Sequence, residues 1–195
     1  GRAVAARDPG PDAFARADVD EAARHLVRVL REVRPQVLVT YEPDGGYGHP
    51  DHVQAHRVAV RAVELAAAPD GAGEPWRVPK VYEAVLPESH ARRVLRESAA
   101  DNPFRPADPD RPLPPMVVPD EQVTTVVDAT QQVDAKAAAL RAHATQVTVE
   151  GGFFALSHGV GQPISGVEFF RLRSGTALPD AGRGDGRESD LFAGV

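Results

Sequence analysis

A short buried strand set between two helices is the feature that most constrains this fold. Residues 37–39, Val-Leu-Val, form a continuous apolar run of the kind that is covered on both faces of a sheet. Before this run, apolar residues recur at helical spacing over 19–33, and Asp18 and Glu21 stand at the spacing of a capping box. After it, Pro50 suits the first turn of a second helix. Helix, buried strand, loop and helix together predict an α/β fold.

The remaining patterns predict one domain over residues 1–195. Seven prolines between positions 101 and 119 indicate an irregular excursion from that domain rather than a boundary. Residues 1–13 are expected to form a flexible loop, and residues 175–195 a loose tail. Regular elements are further predicted as strands over 78–86 and 123–127, a helix over 133–143, and a final strand or helix turn over 168–172.

Composition excludes several classes of protein. With 195 residues and 42% hydrophobic residues, the chain is large and apolar enough for one ordinary globular core. A net charge of -6 argues against a general nucleic-acid binder, which would carry a basic face. No apolar run is long enough for a transmembrane helix, and the absence of cysteine excludes disulfides and thiolate metal sites. A cytoplasmic location is predicted.

Chemically versatile side chains are concentrated in the loop that follows the buried strand. Tyr47, His49, Asp51 and His52 stand close together, next to glycines that let a substrate approach the backbone. In parallel α/β sheets, ligands bind beyond the carboxyl ends of the strands, where this loop lies. Neutral imidazole is a good zinc ligand, and a nearby carboxylate such as Asp51 commonly fixes its tautomer. The constellation predicts a catalytic or metal-binding site.

Three other polar residues admit two interpretations each. His52 and His56, four residues apart, could form a two-histidine zinc site. No glutamate follows His52 as in the HExxH motif, so His56 is instead interpreted as a structural residue. His143 and Gln146 could line a sugar site, whereas His143 could equally satisfy the last carbonyl groups of a helix.

The loop closely resembles a signature of a known enzyme family. The string TYEPDGGYGHPDH over 40–52 is similar to the second signature of the LmbE-like (GlcNAc-PI de-N-acetylase) family. Within that family, EPWRVPKVY over 74–82 and AHATQ over 142–146 are most similar to the deacetylases of mycothiol biosynthesis, which act on N-acetylglucosaminyl-inositol. The likeness runs from about Phe14 to Leu191.

The resemblance implies a fold, a reaction and a role for each residue of the motif. The fold would be a Rossmann-like three-layer sandwich with a mostly parallel sheet, of which this chain is the C-terminal portion. The reaction would be zinc-dependent hydrolysis of an acetamide, and His52 is expected to ligate the zinc ion. His49 is expected to stabilise the tetrahedral oxyanion and to assist the leaving amine, with Asp51 tuning it. Tyr47 is expected to approach the acetyl carbonyl.

One part of the family pattern is absent from this sequence. The first signature, an AHPDDE-type motif, normally supplies two zinc ligands and the general base, but the only His-Pro-Asp here is 49–51. A catalytic zinc site generally needs three protein ligands and a water molecule. We therefore expect an N-terminal segment of the same protein to supply the rest. The expected partner is a small amino sugar, with no nucleic acid and no membrane. A mycothiol S-conjugate amidase and a non-catalytic binding module of this fold are the alternatives.

Overall fold

The computed structural model describes residues 10, 12–69, 73–97, 101–108 and 110–195, so most of the predicted loop at 1–13 lies outside the described residues. The helices are α1 (Val19–Val33), α2 (Gly45–Gly48), α3 (Pro50–Ala67), α4 (Glu88–Glu97) and α5 (Val133–Ala142). The strands are β1 (Val37–Tyr41), β2 (Lys80–Pro87), β3 (Val117–Val118), β4 (Thr125–Asp128), β5 (Thr148–Glu150), β6 (Phe153–Ala155), β7 (Gly161–Pro163) and β8 (Val167–Ser174).

The main sheet is mixed in strand direction. β1 pairs in parallel with β2, and β2 also pairs in parallel with the two-residue strand β3. β8 lies between β2 and β4 and runs antiparallel to both. A second, antiparallel sheet consists of β5, β6 and β7. The predicted α/β class is confirmed, whereas the predicted predominance of parallel pairing is not, because β8 opposes both of its neighbours.

Helices α1 and α3 pack together on one face of the main sheet. The predicted N-cap of α1 is confirmed, since Asp18 Oδ1 accepts a hydrogen bond from the N–H of Glu21 at 2.8 Å. The buried Arg31 guanidinium donates to three carbonyl groups at the C-terminal end of α3, at 2.7 to 3.2 Å. Within the described residues, no helix is both long and apolar enough to cross a membrane. The core of this layer consists of Ala23, Leu30, Val58, Ala62, Ala66, Val78 and Val81.

The C-terminal segment 175–195 lies against the opposite face of the sheet. Strand alternation places Lys80 and Tyr82 on the face turned away from α1 and α3. The fully buried Glu188 carboxylate accepts hydrogen bonds from Lys80 Nζ at 2.6 Å, Tyr82 Oη at 2.8 Å and Thr125 Oγ1 at 2.7 Å. We call these four residues the Glu188 cluster. This packing differs from the loose tail expected for the segment, because one acidic residue within its polar sequence is buried in the sheet.

The proline-rich excursion 101–119 joins two parts of the molecule. Its backbone at Arg105 exchanges hydrogen bonds with Gly159 and Gly161, beside the second sheet. Its Met116 N–H donates to the Gly46 carbonyl at 2.9 Å. The excursion therefore supports the loop between β1 and α3, where the predicted site residues lie. Helix α4, which begins directly after β2, is not predicted by the sequence patterns.

Candidate active site

The loop between β1 and α3 is held in a conformation that requires glycine. We call residues 41–52 the histidine loop. Gly45 and Gly46 have φ values of 68° and 77°, in the left-handed region that disfavours other residues. A Cβ atom on Gly45 would lie 2.5 Å from the backbone nitrogen of Val53, so only glycine lets the loop lie against α3. The buried Glu42 carboxylate accepts a hydrogen bond from the Gly46 N–H and thereby fixes the turn.

His49 caps the N-terminus of α3, and this contact determines its tautomer. Its Nδ1 atom accepts a hydrogen bond from the backbone N–H of Asp51 at 3.1 Å, with Pro50 at the first helical position as predicted. A ring nitrogen that accepts from an N–H group carries no proton, so the neutral ring is protonated on Nε2. The Asp51 carboxylate, meanwhile, accepts a hydrogen bond from the Ala15 N–H at 3.1 Å. His49 therefore offers a hydrogen-bond donor from Nε2.

His52 has the opposite tautomer. Its Nδ1 atom lies 3.3 Å from the Gly45 carbonyl oxygen, which can only accept a hydrogen bond. Nδ1 is therefore the protonated nitrogen, and Nε2 keeps a free lone pair. This arrangement, with one ring nitrogen bonded to a backbone carbonyl, is the usual state of a histidine that ligates a metal ion through its other nitrogen.

Three aromatic rings contact that of His52. The Tyr41 ring stacks on the imidazole with centroids 4.3 Å apart and an interplanar angle of 11°. The Tyr47 ring contacts the His49 and His52 rings edge-on, at centroid distances of 6.0 and 5.2 Å. The two histidine rings are 4.9 Å apart. The structure thus brings together Tyr47, His49 and His52, and it leaves Tyr47 57% exposed.

His56 contacts the backbone of Tyr41 and belongs to a buried polar network. It is 7% exposed, and its Nδ1–H donates to the Tyr41 carbonyl at 2.7 Å. The same nitrogen is 3.9 Å from Oε1 of the buried Glu83, which also accepts hydrogen bonds from Arg171 and Arg173 at 2.6 and 3.0 Å. These contacts agree with the structural interpretation of His56 and join β1 to β2 and β8.

The described residues supply one clear donor atom for zinc rather than a complete site. His52 Nε2 fits the ion chemically, but no group of three histidine, cysteine, aspartate or glutamate side chains in the described ranges could hold a metal. His143 and Gln146 are exposed near the end of α5. Among the residues that the structure describes, no hydrogen bond or ring contact joins His143 or Gln146 to the histidine loop. A role in binding a sugar stays a prediction for both.

Sequence reasoning missed Tyr41 and Glu42. Both residues lie within the motif, but their roles depend on contacts with other parts of the loop. The Tyr41 ring stacks on a histidine eleven residues later in the chain, and the Glu42 carboxylate folds back on the following glycines. The available signal was the position of both residues at the carboxyl end of the predicted strand.

The sequence is similar to those of known proteins. The sequence profile of the PIG-L family, described as GlcNAc-PI de-N-acetylase, matches residues 6–63, which include the whole histidine loop. Three curated relatives share the name 1D-myo-inositol 2-acetamido-2-deoxy-alpha-D-glucopyranoside deacetylase. They come from Nocardioides sp. (strain JS614), at 53% identity, Kribbella flavida, at 51%, and Kineococcus radiotolerans, at 52%.

The match to these relatives covers 100% of this chain in each case. The chain itself spans 66%, 65% and 56% of their respective lengths, which is about two thirds or less. An overall identity above 50% in matches that cover the whole chain extends the agreement well beyond the motif. The chain belongs to the GlcNAc-PI de-N-acetylase (PIG-L) family.

Proposed function

We propose that the protein containing this chain is a zinc-dependent hydrolase that removes the acetyl group from N-acetylglucosaminyl-inositol, a step of mycothiol biosynthesis. The observation that carries this proposal is the opposite hydrogen bonding of the two Nδ1 atoms in the histidine loop, from which the tautomers follow. His49 offers an N–H donor, and His52, whose ring is 4.9 Å away, offers a lone pair. The name that the relatives share supports the same substrate.

Hydrolysis of an acetamide makes two demands on a protein. When water adds to the carbonyl carbon, the carbonyl oxygen becomes an oxyanion that needs hydrogen-bond donors. The carbon–nitrogen bond then breaks, and the nitrogen takes up a proton as acetate and the free amine separate. Neutral amide nitrogen is a poor leaving group without that proton, so the site needs both a donor for the oxyanion and a route for a proton.

His49 suits the first of these demands. Because the Asp51 N–H occupies Nδ1, the ring presents its hydrogen-bond donor on Nε2. We assign it stabilisation of the oxyanion. The proton released by the attacking water then returns to the leaving nitrogen through a carboxylate base. Tyr47 is the second donor, since its hydroxyl has no hydrogen-bond partner within the described residues.

His52 would hold the metal ion through Nε2. When bound, zinc would polarise the carbonyl group and lower the pKa of a coordinated water toward neutrality. The remaining ligands and the carboxylate base are proposed to come from a part of the protein outside this chain. β1 lies at one edge of the described main sheet. A further parallel strand beside β1 would end next to the histidine loop.

The proposal is tested by assaying the full-length protein for release of free amine from N-acetylglucosaminyl-inositol. We expect activity that a chelator abolishes and zinc restores, and that His52→Ala removes together with bound zinc. The matched control is His25→Ala, which removes an exposed histidine on α1, far from the loop in sequence, and should leave activity intact. If the protein hydrolyses a mycothiol S-conjugate but not N-acetylglucosaminyl-inositol, the proposed substrate is wrong and the protein is an S-conjugate amidase. Zinc-free protein without either activity would overturn the proposal.

The predicted cytoplasmic location is also a proposal. Fractionation of cells that express the full-length protein would test it. Recovery with the cytosolic markers is expected, and recovery with the membranes would contradict it.

A further inference from the structure

Tyr41 has no role in the chemistry proposed above, yet it makes the closest ring contact with His52. We infer that Tyr41 is a positioning residue, whose stacked ring holds the His52 imidazole so that the Nε2 lone pair keeps one direction. The inference rests on the proposed function, because it assigns that lone pair to zinc.

His52 needs such a contact because its other restraint is long. The bond from Nδ1 to the Gly45 carbonyl is 3.3 Å, beyond the usual range for N–H···O hydrogen bonds. That long bond does not by itself fix the tilt of the ring, and the Tyr47 and His49 rings contact it at an angle rather than in a parallel stack. The parallel stack with Tyr41, at 4.3 Å and 11°, restricts that tilt over the whole face of the ring.

Tyr41 is the member of the ring cluster that is itself firmly held. It is the last residue of β1 and pairs with Ala84 of β2. Its carbonyl accepts the 2.7 Å hydrogen bond from His56, and His56 lies beside the Glu83 carboxylate that Arg171 anchors to β8. Tyr47, in contrast, lies in the loop itself and is 57% exposed. The sheet therefore fixes the position of Tyr41, and the Tyr41 ring in turn fixes the orientation of the His52 imidazole.

The first test is the zinc affinity of the full-length protein, measured by competition with a chromophoric chelator. Tyr41→Phe keeps the stacked ring, and we expect its zinc affinity to stay within about twofold of the original. Tyr41→Leu removes the flat ring, and we expect affinity to fall by about 10- to 100-fold, the range found when the outer partners of metal ligands are removed. Equal zinc affinity in Tyr41→Leu and the original protein would overturn the inference.

Val39 provides a matched control. Strand alternation places its side chain on the same face of β1 as Tyr41, and the two residues are similarly exposed, at 46% and 39%. Val39→Ala should leave zinc affinity unchanged. If Val39→Ala weakened zinc binding as much as Tyr41→Leu does, any disturbance of β1 would have that effect. Tyr41 would then have no specific positioning role.

A further variant separates this inference from the proposed function. If His52→Ala keeps full zinc affinity, His52 is not a ligand and the proposed function fails as well. If His52→Ala loses zinc while Tyr41→Leu keeps it, only the role of Tyr41 is wrong.

The second measurement does not require a disruptive substitution. In NMR spectra of the zinc-free protein, with His52 assigned by comparison with His52→Gln, we expect Nδ1 to be protonated. The carbon-bound ring protons should be shifted to high field by the Tyr41 ring, and Tyr41→Phe should preserve that shift. A His52 ring with ordinary proton shifts would show that the stack does not hold it, and would overturn the inference.

Discussion

The Glu188 cluster and the histidine loop contain similar side chains, but the cluster stabilises the fold and the loop is suited to a reaction. In the cluster, a lysine, a tyrosine, a threonine and a glutamate are buried, and each polar group is hydrogen-bonded to another. In the loop, two histidines and a tyrosine are partly exposed, and each keeps a donor or a lone pair unused. Saturated polar groups stabilise a fold, whereas a reaction needs polar groups that are oriented but still available. We expect substitutions in the cluster to change stability and substitutions in the loop to change activity.

The largest effect on stability is expected from Glu188→Gln. The amide keeps the shape of the side chain but leaves the Lys80 ammonium buried without its counter-charge. Removing one partner of a buried pair costs about 3 to 5 kcal/mol in the free energy of unfolding, measurable by urea denaturation.

The control for this prediction is Glu168→Gln. Glu168 pairs with Lys136 at 2.7 Å, but both side chains are exposed, so the change should cost less than about 1 kcal/mol. Equal losses of stability in the two variants would show that the buried Glu188 cluster stabilises the fold no more than an exposed ion pair does.

The next effect is expected from His49→Ala, and it should appear mainly in kcat. Loss of one oxyanion donor lowers kcat by about 10²- to 10³-fold. Loss of the cap on α3 should also cost about 1 kcal/mol of stability. His49→Asn separates the two roles, because asparagine is a good cap: it should restore stability without restoring kcat. A stable His49→Asn protein with full activity would contradict the assignment of His49.

The same substitution in both regions gives the sharpest comparison. Tyr82→Phe removes a hydrogen bond to the Glu188 carboxylate and should cost about 1.5 to 3 kcal/mol of stability, with no change in kcat. Tyr47→Phe removes a hydroxyl that has no partner in the described part of the chain. It should change stability by less than about 0.5 kcal/mol and lower kcat by about 10²-fold. A loss of stability in Tyr47→Phe, or a loss of kcat in Tyr82→Phe, would contradict the assignment of stability to the Glu188 cluster and of activity to the histidine loop.

The smallest expected effect is a difference in acid sensitivity. Burial alone would raise the pKa of Glu188, but hydrogen bonds from Lys80, the Leu178 N–H, Thr125 and Tyr82 outweigh it, so the pKa lies below the ordinary value of 4.5. A depressed carboxyl pKa adds stability above the unfolded value, and that stability is lost as the pH falls through the folded value.

The original protein should therefore lose stability more steeply below about pH 4.5 than Glu188→Gln, whose amide does not titrate. Unfolding in urea at several pH values between 6 and 3 would measure the two slopes. Parallel slopes would mean that Glu188 does not contribute to acid unfolding.

The parts of the fold that sequence could predict are those determined locally. The cap at Asp18, the strand at 37–39 and the helix beginning at Pro50 depend on short-range spacing, and the structure confirms them. The predicted burial of that strand on both faces is wrong, because Val39 is 46% exposed on a strand at the edge of the described main sheet. The proximity of His49 and His52 follows from their position in one helical turn. Glu188 could not be predicted in this way, because its burial depends on strands more than 60 residues earlier in the chain. The stack of Tyr41 on His52 likewise depends on the turn between them.

The separation between Lys80 and Glu188 has a consequence for synthesis. The two residues are 108 positions apart, and a ribosome adds roughly 5 to 20 residues per second, so the lysine is made roughly 5 to 20 seconds before its partner. During that interval the sheet carries an uncompensated ammonium group on β2, and its hydrophobic surroundings cannot close over it. We therefore expect folding of this face to wait for the segment that carries Glu188. Until then, this face of the sheet would stay accessible to chaperones and proteases.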